Sequence, residues 1–153
     1  MIYTNRFAHL ASTTLKVGDT VNRGDIIGIM GNTGSEKTGI HLHTDNVEGL
    51  QKKRYTLKMM DAGNPKPCKK QLDYFIDDEL FGVKPVITTG YNDYEYAVLF
   101  YKPHPAYDVV PFDRHETRDH YAIHWNRSMT GTVMRIDYND PGYGTVIYIA
   151  YDA

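Results

Sequence analysis

Two histidines separated by one residue, His41 and His43, have the spacing for metal chemistry. Side chains at positions i and i+2 of a β-strand point to the same face. On a strand, both imidazoles would therefore project into one site, while Leu42 turns into the core. One ring could bind a metal ion, and the other could act on the group that the metal activates. The same pair needs no metal if it lies on a solvated strand face.

A second pair, His104 and Asp108, could supply the rest of a metal site. With three residues between them, a histidine and a carboxylate can meet at one ion on a turn or at a strand end. Adding one histidine of the 41/43 pair completes a His-Asp-His zinc site with an open fourth position. Zinc in such a site lowers the pKa of a bound water towards ~7. The remaining histidines, including His9, could orient that water or bind the developing oxyanion.

Short strands joined by tight turns have to position these residues. The 13 tyrosines and 13 glycines favour such a chain. The pattern changes in the connector, residues 47–85, where Asn64–Pro67 marks a break and residues 69–81 have the apolar spacing of a short amphipathic helix. We therefore predict a mainly β fold, a small antiparallel barrel/sandwich hybrid with one short helix in the connector. The predicted strands are residues 2–10, 26–30, 86–91, 94–101, 121–125, 131–136 and 144–150.

The composition excludes several classes of protein. A chain of 153 residues has room for one domain with a core. The net charge of -2, without a sustained basic patch, argues against a nucleic-acid partner. No apolar run approaches the ~18 residues of a membrane span, and the first residues lack the pattern of a signal peptide. The single cysteine, Cys68, excludes an internal disulfide framework and a cysteine-based zinc cluster.

Four short motifs precede residue 44: Phe-Ala-His-Leu at 7–10, Val-Gly-Asp-x-Val-x-x-Gly at 17–24, Gly-Asn-Thr-Gly at 31–34 and Gly-Ile-His-Leu-His at 39–43. Together they resemble motifs of the lysostaphin/LytM-type zinc metallopeptidases, which cut peptides of bacterial peptidoglycan. The family's C-terminal half reads Tyr-Ala-His-Leu, Val-Gly-x-x-Val-x-x-Gly, Gly-x-Thr-Gly and Pro-His-Leu-His. This chain has similar motifs at residues 7–10, 17–24, 31–34 and 39–43. Residues 104–111 resemble the family's His-x-Gly-x-Asp zinc motif, and residues 131–133 and 142–146 resemble its next two strands.

The resemblance implies a role for each candidate residue. It places Zn²⁺ on His104, Asp108 and His43, and it assigns catalytic roles to His9 and His41. It also implies a zinc metalloendopeptidase acting on peptidoglycan peptide, in an extracellular or cell-wall/periplasmic location, from a bacterium or a phage. Two positions depart from the motifs, with Ala106 in place of glycine and Ile40 in place of proline, and neither supplies a ligand.

The order of the motifs differs from that of the family. The His-x-x-x-Asp motif comes first in the family, whereas here it follows His-x-His. We therefore interpret the chain as a circular permutation in a single domain of residues 1–153. Residues 1–46 would be the family's C-terminal half, residues 47–85 the connector, and residues 86–153 the N-terminal half. A monomer, a dimer that exchanges halves, and a fragment spanning two neighbouring domains all agree with this order.

Other ligand choices are open on spacing alone. His115 and Asp119 repeat the His-x-x-x-Asp spacing, and His120 and His124 are a potential metal pair. We prefer His104 and Asp108 because their flanking residues match the family's apolar surroundings. His120, His124 and Tyr107 are then expected to line the substrate cleft.

Two other functions share these sequence features. A non-catalytic cell-wall-binding or regulatory module on the same fold is the main alternative, although all five positions hold the expected residue types. Residues 17–27 are also similar to lipoyl- and biotin-carrier hairpins, but no Met-Lys-Met triplet follows them. We interpret that similarity as a shared hairpin architecture.

Overall fold

The computed structural model describes residues 1–34, 40–92, 104–113 and 121–153. These residues are mainly β-structure, which confirms the predicted class. Their strands are β1 (Ile2–Ser12), β2 (Thr20–Val21), β3 (Ile26–Met30), β4 (Leu42–Glu48), β5 (Pro85–Thr89), β6 (Tyr107–Pro111), β7 (Ala122–His124), β8 (Gly131–Asp140) and β9 (Gly144–Asp152). Two short helices lie in the connector, α1 (Leu57–Asp61) and α2 (Lys69–Asp73).

The described strands join in one antiparallel sheet. Its order is β2-β8-β9-β1-β4-β6-β5, and β3 pairs with both β1 and β7. The path from β2 to β5 is open, whereas the sequence suggested a barrel/sandwich hybrid. The last strand, β9, pairs with the first, β1, over most of their lengths. This pairing is what the permuted motif order requires, and the permutation itself stays a prediction.

The central strands are buried on both faces. Along β9, Ile147 and Ile149 pack into one apolar cluster, while Val146 and Tyr148 pack into another. Burial on both faces explains why this strand is apolar without alternation. The first cluster contains Trp125, and both clusters contain residues of the connector, which therefore packs against both faces of the sheet.

The connector contains two helices of five residues, where the sequence predicted one helix within residues 69–81. The predicted helix ends early, at Asp73. Beyond it, the Phe75 carbonyl accepts a hydrogen bond from the Asn126 side chain at 2.6 Å, and Asp77 Oδ1 accepts one from the backbone N–H of Glu79 at 2.9 Å. Such side-chain hydrogen bonds compete with helical ones. The unpredicted α1 starts where Thr56 Oγ1 accepts a hydrogen bond from the backbone N–H of Met59.

Most predicted strands are present with shifted ends. Residues 26–30 form β3 as predicted, whereas β8 and β9 are longer than expected and β7 is shorter. The predicted strand at residues 94–101 lies outside the described residues. Neither described helix is long and apolar enough to cross a membrane.

Candidate metal centre

Three adjacent strands, β1, β4 and β6, form the floor of the candidate site. His43 on β4 lies opposite Ala8 on β1 and opposite Asp108 on β6. Directly opposed residues of antiparallel strands place their side chains on the same face. Leu42 is fully buried in the apolar cluster on the other face, as the i, i+2 argument predicted. The sheet register therefore brings His43 and Asp108 together.

His43, His104 and Asp108 form a cluster that could hold a metal ion. Each offers one ligand atom, and these atoms lie within 4.8 Å of one another. His43 Nδ1 is 3.2 Å from Asp108 Oδ1, and His104 Nε2 is 3.4 Å from Asp108 Oδ2. Ligand atoms of a tetrahedral zinc ion are about 3.4 Å apart, given bonds of about 2.0–2.2 Å. The donor set and these two separations fit zinc, and a pair of ligand atoms at the 4.8 Å limit would have to come about 1.4 Å closer.

The ring of His104 is oriented by the backbone. Its Nδ1 lies 3.2 Å from the Gly90 carbonyl oxygen, so an Nδ1–H can donate there. Donation from one ring nitrogen selects the tautomer in which the other nitrogen carries the lone pair. Nε2, which faces Asp108, is then the nitrogen available to a metal.

Electrostatics in the cluster favour positive charge at its centre. Burial by itself raises the pKa of Asp108, but its polar contacts with His104 and His43 outweigh that effect and hold the pKa well below its usual range. Burial likewise lowers the pKa of His43, but hydrogen bonds to Asp108 and Asp45 outweigh it and raise the pKa to about 9. A position flanked by two buried carboxylates stabilises a cation, whether imidazolium or metal.

The two other predicted histidines adjoin this cluster. The rings of His9 and His41 are 4.9 Å apart between centroids, and the His9 ring is 6.1 Å from that of His43. His41 Nε2 lies 3.7 Å from Asp108 Oδ1. The structure therefore brings all five residues predicted for the site into one buried group, contributed by residues 9–43 and 104–108.

A β-bulge in β1 positions His9. The register with β9 changes from Phe7 opposite Ile147 to Leu10 opposite Thr145, so β1 contains one extra residue there. His9 has a φ of 61°, in the left-handed region that non-glycine residues rarely adopt. Its backbone N–H donates to the Tyr143 carbonyl at 2.9 Å. The sequence predicted a regular strand here. A left-handed backbone at a histidine costs about 1–3 kcal/mol of strain.

The loop that orients the His9 ring packs very closely against the turn before β9. His9 Nδ1 is 2.7 Å from the Thr33 carbonyl oxygen. Next to Thr33, a Cβ added to Gly34 or to Gly144 would come within 2.6 Å of backbone atoms across the contact. Only glycine allows this approach.

Burial, aided by His43, lowers the pKa of His9 to about 4, so the ring is neutral at pH 7. With Nδ1–H on Thr33, Nε2 is its proton acceptor.

Comparison with known proteins supports a peptidase. Residues 2–53 match the model of peptidase family M23. The M23 match covers His9, His41 and His43, and it confirms the resemblance read from the sequence over this part of the chain. M23 peptidases are typically metallopeptidases. His104 and Asp108 lie outside the matched residues. Neither the curated proteins nor the solved structures contain a match to the chain.

The M23-matched strands also carry two polar residues, Arg6 and Asp45, that no motif in the sequence singled out. Asp45 Oδ2 is 3.2 Å from Nε2 of His43, and Arg6 forms an ion pair with Asp45 at 2.7 Å. Burial raises the pKa of Asp45, but Arg6 and His43 outweigh it and lower the pKa to about 2. Asp45 could have been found, because it is two residues beyond His43 on the same strand face. No local signal pointed to Arg6.

Tyr143 is a third residue that the sequence did not single out as part of the site. Its ring centroid lies 4.9 Å from that of His43 and 5.9 Å from that of His9. It lies between β8 and β9, immediately before the first residue of β9. Its place beside the histidines depends on the pairing of β9 with β1, a long-range contact between the last strand and the first.

The residues expected to line a cleft are not part of this group. Tyr107 is buried, and its hydroxyl donates to Asp73 of α2. His124 lies on β7, with Nδ1 3.3 Å from the Leu80 carbonyl oxygen. His120, as well as the competing pair His115 and Asp119, lies outside the described residues. A cleft role for Tyr107, His124 and His120 stays a prediction.

Proposed function

We propose that this chain is a zinc metalloendopeptidase that hydrolyses peptide bonds in bacterial peptidoglycan. The observation that carries the proposal is the convergence of His43, His104 and Asp108, with His9 and His41 beside them, in a chain that partly matches an M23 model. M23 peptidases usually act on extracellular peptidoglycan, which supports the substrate class and an extracellular, cell-wall or periplasmic site of action.

His43, His104 and Asp108 are the residues that would hold zinc. When bound, zinc would supply a Lewis acid that polarises the scissile carbonyl and lowers the pKa of a water. Two neutral imidazoles and one carboxylate compensate only part of a 2+ charge. The ligands therefore leave a net positive centre, which favours the negative charge that develops on a carbonyl oxygen under attack.

His9 would transfer a proton, and His41 would stabilise the developing negative charge. With its Nδ1–H on the Thr33 carbonyl, His9 presents Nε2 as a base that accepts a proton from the attacking water. The same nitrogen can return this proton to the departing amine. His41, beside His9 and Asp108, is the second catalytic residue of the proposal, and an N–H of its ring would donate to the developing oxyanion.

The permuted domain arrangement is part of the proposal. Residues 1–46 contribute His9, His41 and His43, and residues 86–153 contribute His104 and Asp108, while residues 47–85 connect the two halves. Pairing of β4 with β6 within one chain supports a monomer that completes its own site. A mass twice that of the chain in solution light scattering, with activity confined to this form, would instead support exchange of halves.

Hydrolysis of purified peptidoglycan by the full chain tests the proposal. We expect new amino groups to be released, a chelator to stop the release, and zinc to restore it. His43→Ala should abolish it, whereas Asp137→Asn, a control away from the histidines, should not. Full activity of His43→Ala would contradict the proposal. Binding to peptidoglycan without any release of amino groups would favour a cell-wall-binding module.

A further inference from the structure

His43 lies between two carboxylates that face its two different ring nitrogens. Nδ1 is 3.2 Å from Asp108 Oδ1, and Nε2 is 3.2 Å from Asp45 Oδ2. Asp108 belongs to the candidate metal cluster, whereas Asp45 does not. A metal-binding histidine commonly donates its second ring N–H to a carboxylate, which fixes the ring and its tautomer. Nδ1 of His43 therefore faces the candidate metal cluster, and Nε2 faces the carboxylate of Asp45.

Asp45 is itself held by a buried cation. Both residues are nearly inaccessible, with side-chain exposures of 1% for Arg6 and 0% for Asp45. Arg6 Nε donates to Asp45 Oδ1 at 2.9 Å, and Nη2 donates to Oδ2 at 2.7 Å. The two residues lie opposite each other on β1 and β4. A bidentate pair of this kind restricts the carboxylate to one orientation.

The connector completes the arrangement through Tyr55. Its ring lies over the guanidinium, with Arg6 Cζ 3.8 Å from the ring centroid. Its hydroxyl donates to Asp45 Oδ1 at 3.3 Å, and its backbone carbonyl accepts from Arg6 Nη1. Tyr55 is 1% exposed and packs against Tyr148 of β9. A segment read from the sequence as a connector between two halves thus touches both members of the buried ion pair.

We propose that Asp45 is a positioning residue that fixes His43 with Nδ1 towards the metal, and that Arg6 and Tyr55 hold that carboxylate in place. The inference rests on the proposed metal centre and deepens it. It gives residues 47–85 a part in metal binding that no ligand motif assigns to them.

Zinc affinity of the full chain, measured by competition with a chromogenic chelator, tests the role of Asp45. Asp45→Asn keeps the shape and removes the charge, and we expect zinc to bind about 10–100-fold more weakly. Asp137→Asn is the matched control, because it removes a carboxylate paired with Arg135 on β8 and should retain wild-type affinity. Wild-type affinity in Asp45→Asn would overturn the proposal.

A second variant covers the case in which Asp45→Asn does not fold. That substitution leaves Arg6 buried without its carboxylate, which is strongly destabilising. The double variant Arg6→Met/Asp45→Asn removes both charges, and we expect a similar loss of about 10–100-fold in zinc affinity. A folded double variant with wild-type affinity would refute a positioning role.

Two substitutions of Tyr55 test the part of the connector. Tyr55→Phe keeps the ring over Arg6 and removes the hydroxyl, so a loss of about threefold in zinc affinity is expected. Tyr55→Ala removes both contacts and should cost about tenfold or more. If Tyr55→Ala binds zinc as tightly as the wild type, the connector has no part in metal binding.

NMR spectroscopy of the histidine rings tests which nitrogen of His43 binds the metal, without measuring zinc affinity. In the zinc-loaded chain labelled with ¹⁵N in its histidine rings, we expect His43 to carry the metal on Nδ1 and a proton on Nε2. Metal on Nε2 would overturn the proposal.

A wild-type chain that binds zinc through Nδ1 but cleaves no peptidoglycan would contradict the proposed function and support the role of Asp45. A wild-type chain that binds no zinc would remove the basis of both.

Discussion

His43 and Asp108 lie opposite each other on neighbouring strands, with 3.2 Å between Nδ1 and Oδ1, although 65 positions separate them in the chain. His104, close to Asp108 in sequence, completes the cluster from the segment before β6. No local segment contains the whole centre, so the pairing of β4 with β6 has to form before a metal can be held by all three residues. Metal binding and folding are therefore expected to be coupled.

That coupling predicts a metal-dependent melting temperature. At a zinc concentration about 1,000 times the Kd, binding to the folded state adds about 4 kcal/mol. For a chain of this size, this corresponds to a rise in Tm of about 8–16 °C. Calorimetry with and without a chelator measures the shift. His104→Ala should lose most of it, and an equal shift in that variant would show that zinc binds elsewhere.

Removal of a single ligand should abolish activity without unfolding the chain. His104 is the clearest choice, because it precedes β6 and is not part of a strand ladder. We expect His104→Ala to lower zinc affinity by at least about 100-fold and to reduce peptide hydrolysis to background. Asp137→Asn should match the wild type in both measurements. Retained zinc binding in His104→Ala would favour a different ligand set.

The bulge at His9 predicts that glycine and alanine substitutions there differ in stability but not in activity. At a φ of 61°, glycine avoids the steric cost that alanine keeps. His9→Gly should therefore be more stable than His9→Ala by about 1 kcal/mol in urea unfolding. Both variants should hydrolyse peptide about 10²–10⁴-fold more slowly, since both lose the imidazole. Higher stability of the alanine variant would contradict the strained conformation.

Stability should depend on pH through Asp140 at the turn before β9. Burial raises its pKa, but a hydrogen bond from Arg54 and backbone N–H groups of Tyr143 and Gly142 outweigh it, so the pKa is lowered. A carboxyl group with a lowered pKa in the folded state stabilises the protein at neutral pH, and this contribution disappears as the pH falls below about 4. Asp140→Asn should therefore cost about 1–2 kcal/mol at pH 7.

Urea unfolding at a series of pH values measures this effect. The difference in unfolding free energy between wild type and Asp140→Asn should shrink towards zero as the pH is lowered through the folded pKa. A difference that stays constant down to pH 2 would indicate that packing at the turn, rather than the charge of the carboxylate, is responsible.

Much of the strand pattern and the five proposed site residues followed from the sequence. Residues 26–30 are a strand as predicted, because a short apolar run between turns is a local signal. His9, His41, His43, His104 and Asp108 could be singled out because the motifs around them resemble those of a known metallopeptidase family. Residue type and spacing alone also allowed the pair His115 and Asp119. The early end of α2 could not be predicted, because the Phe75 carbonyl accepts a hydrogen bond from the side chain of Asn126, which is distant in sequence.

The tertiary structure alone decided how the site is built. Local sequence determined which residues can bind a metal, because that property belongs to each side chain. Which nitrogen of His43 faces Asp108, the left-handed backbone at His9, and the buried group of Arg6, Asp45 and Tyr55 depend on contacts between distant segments. Such contacts form only when strand pairing brings the segments into register, and nothing local in a residue's neighbourhood records its partner across the sheet.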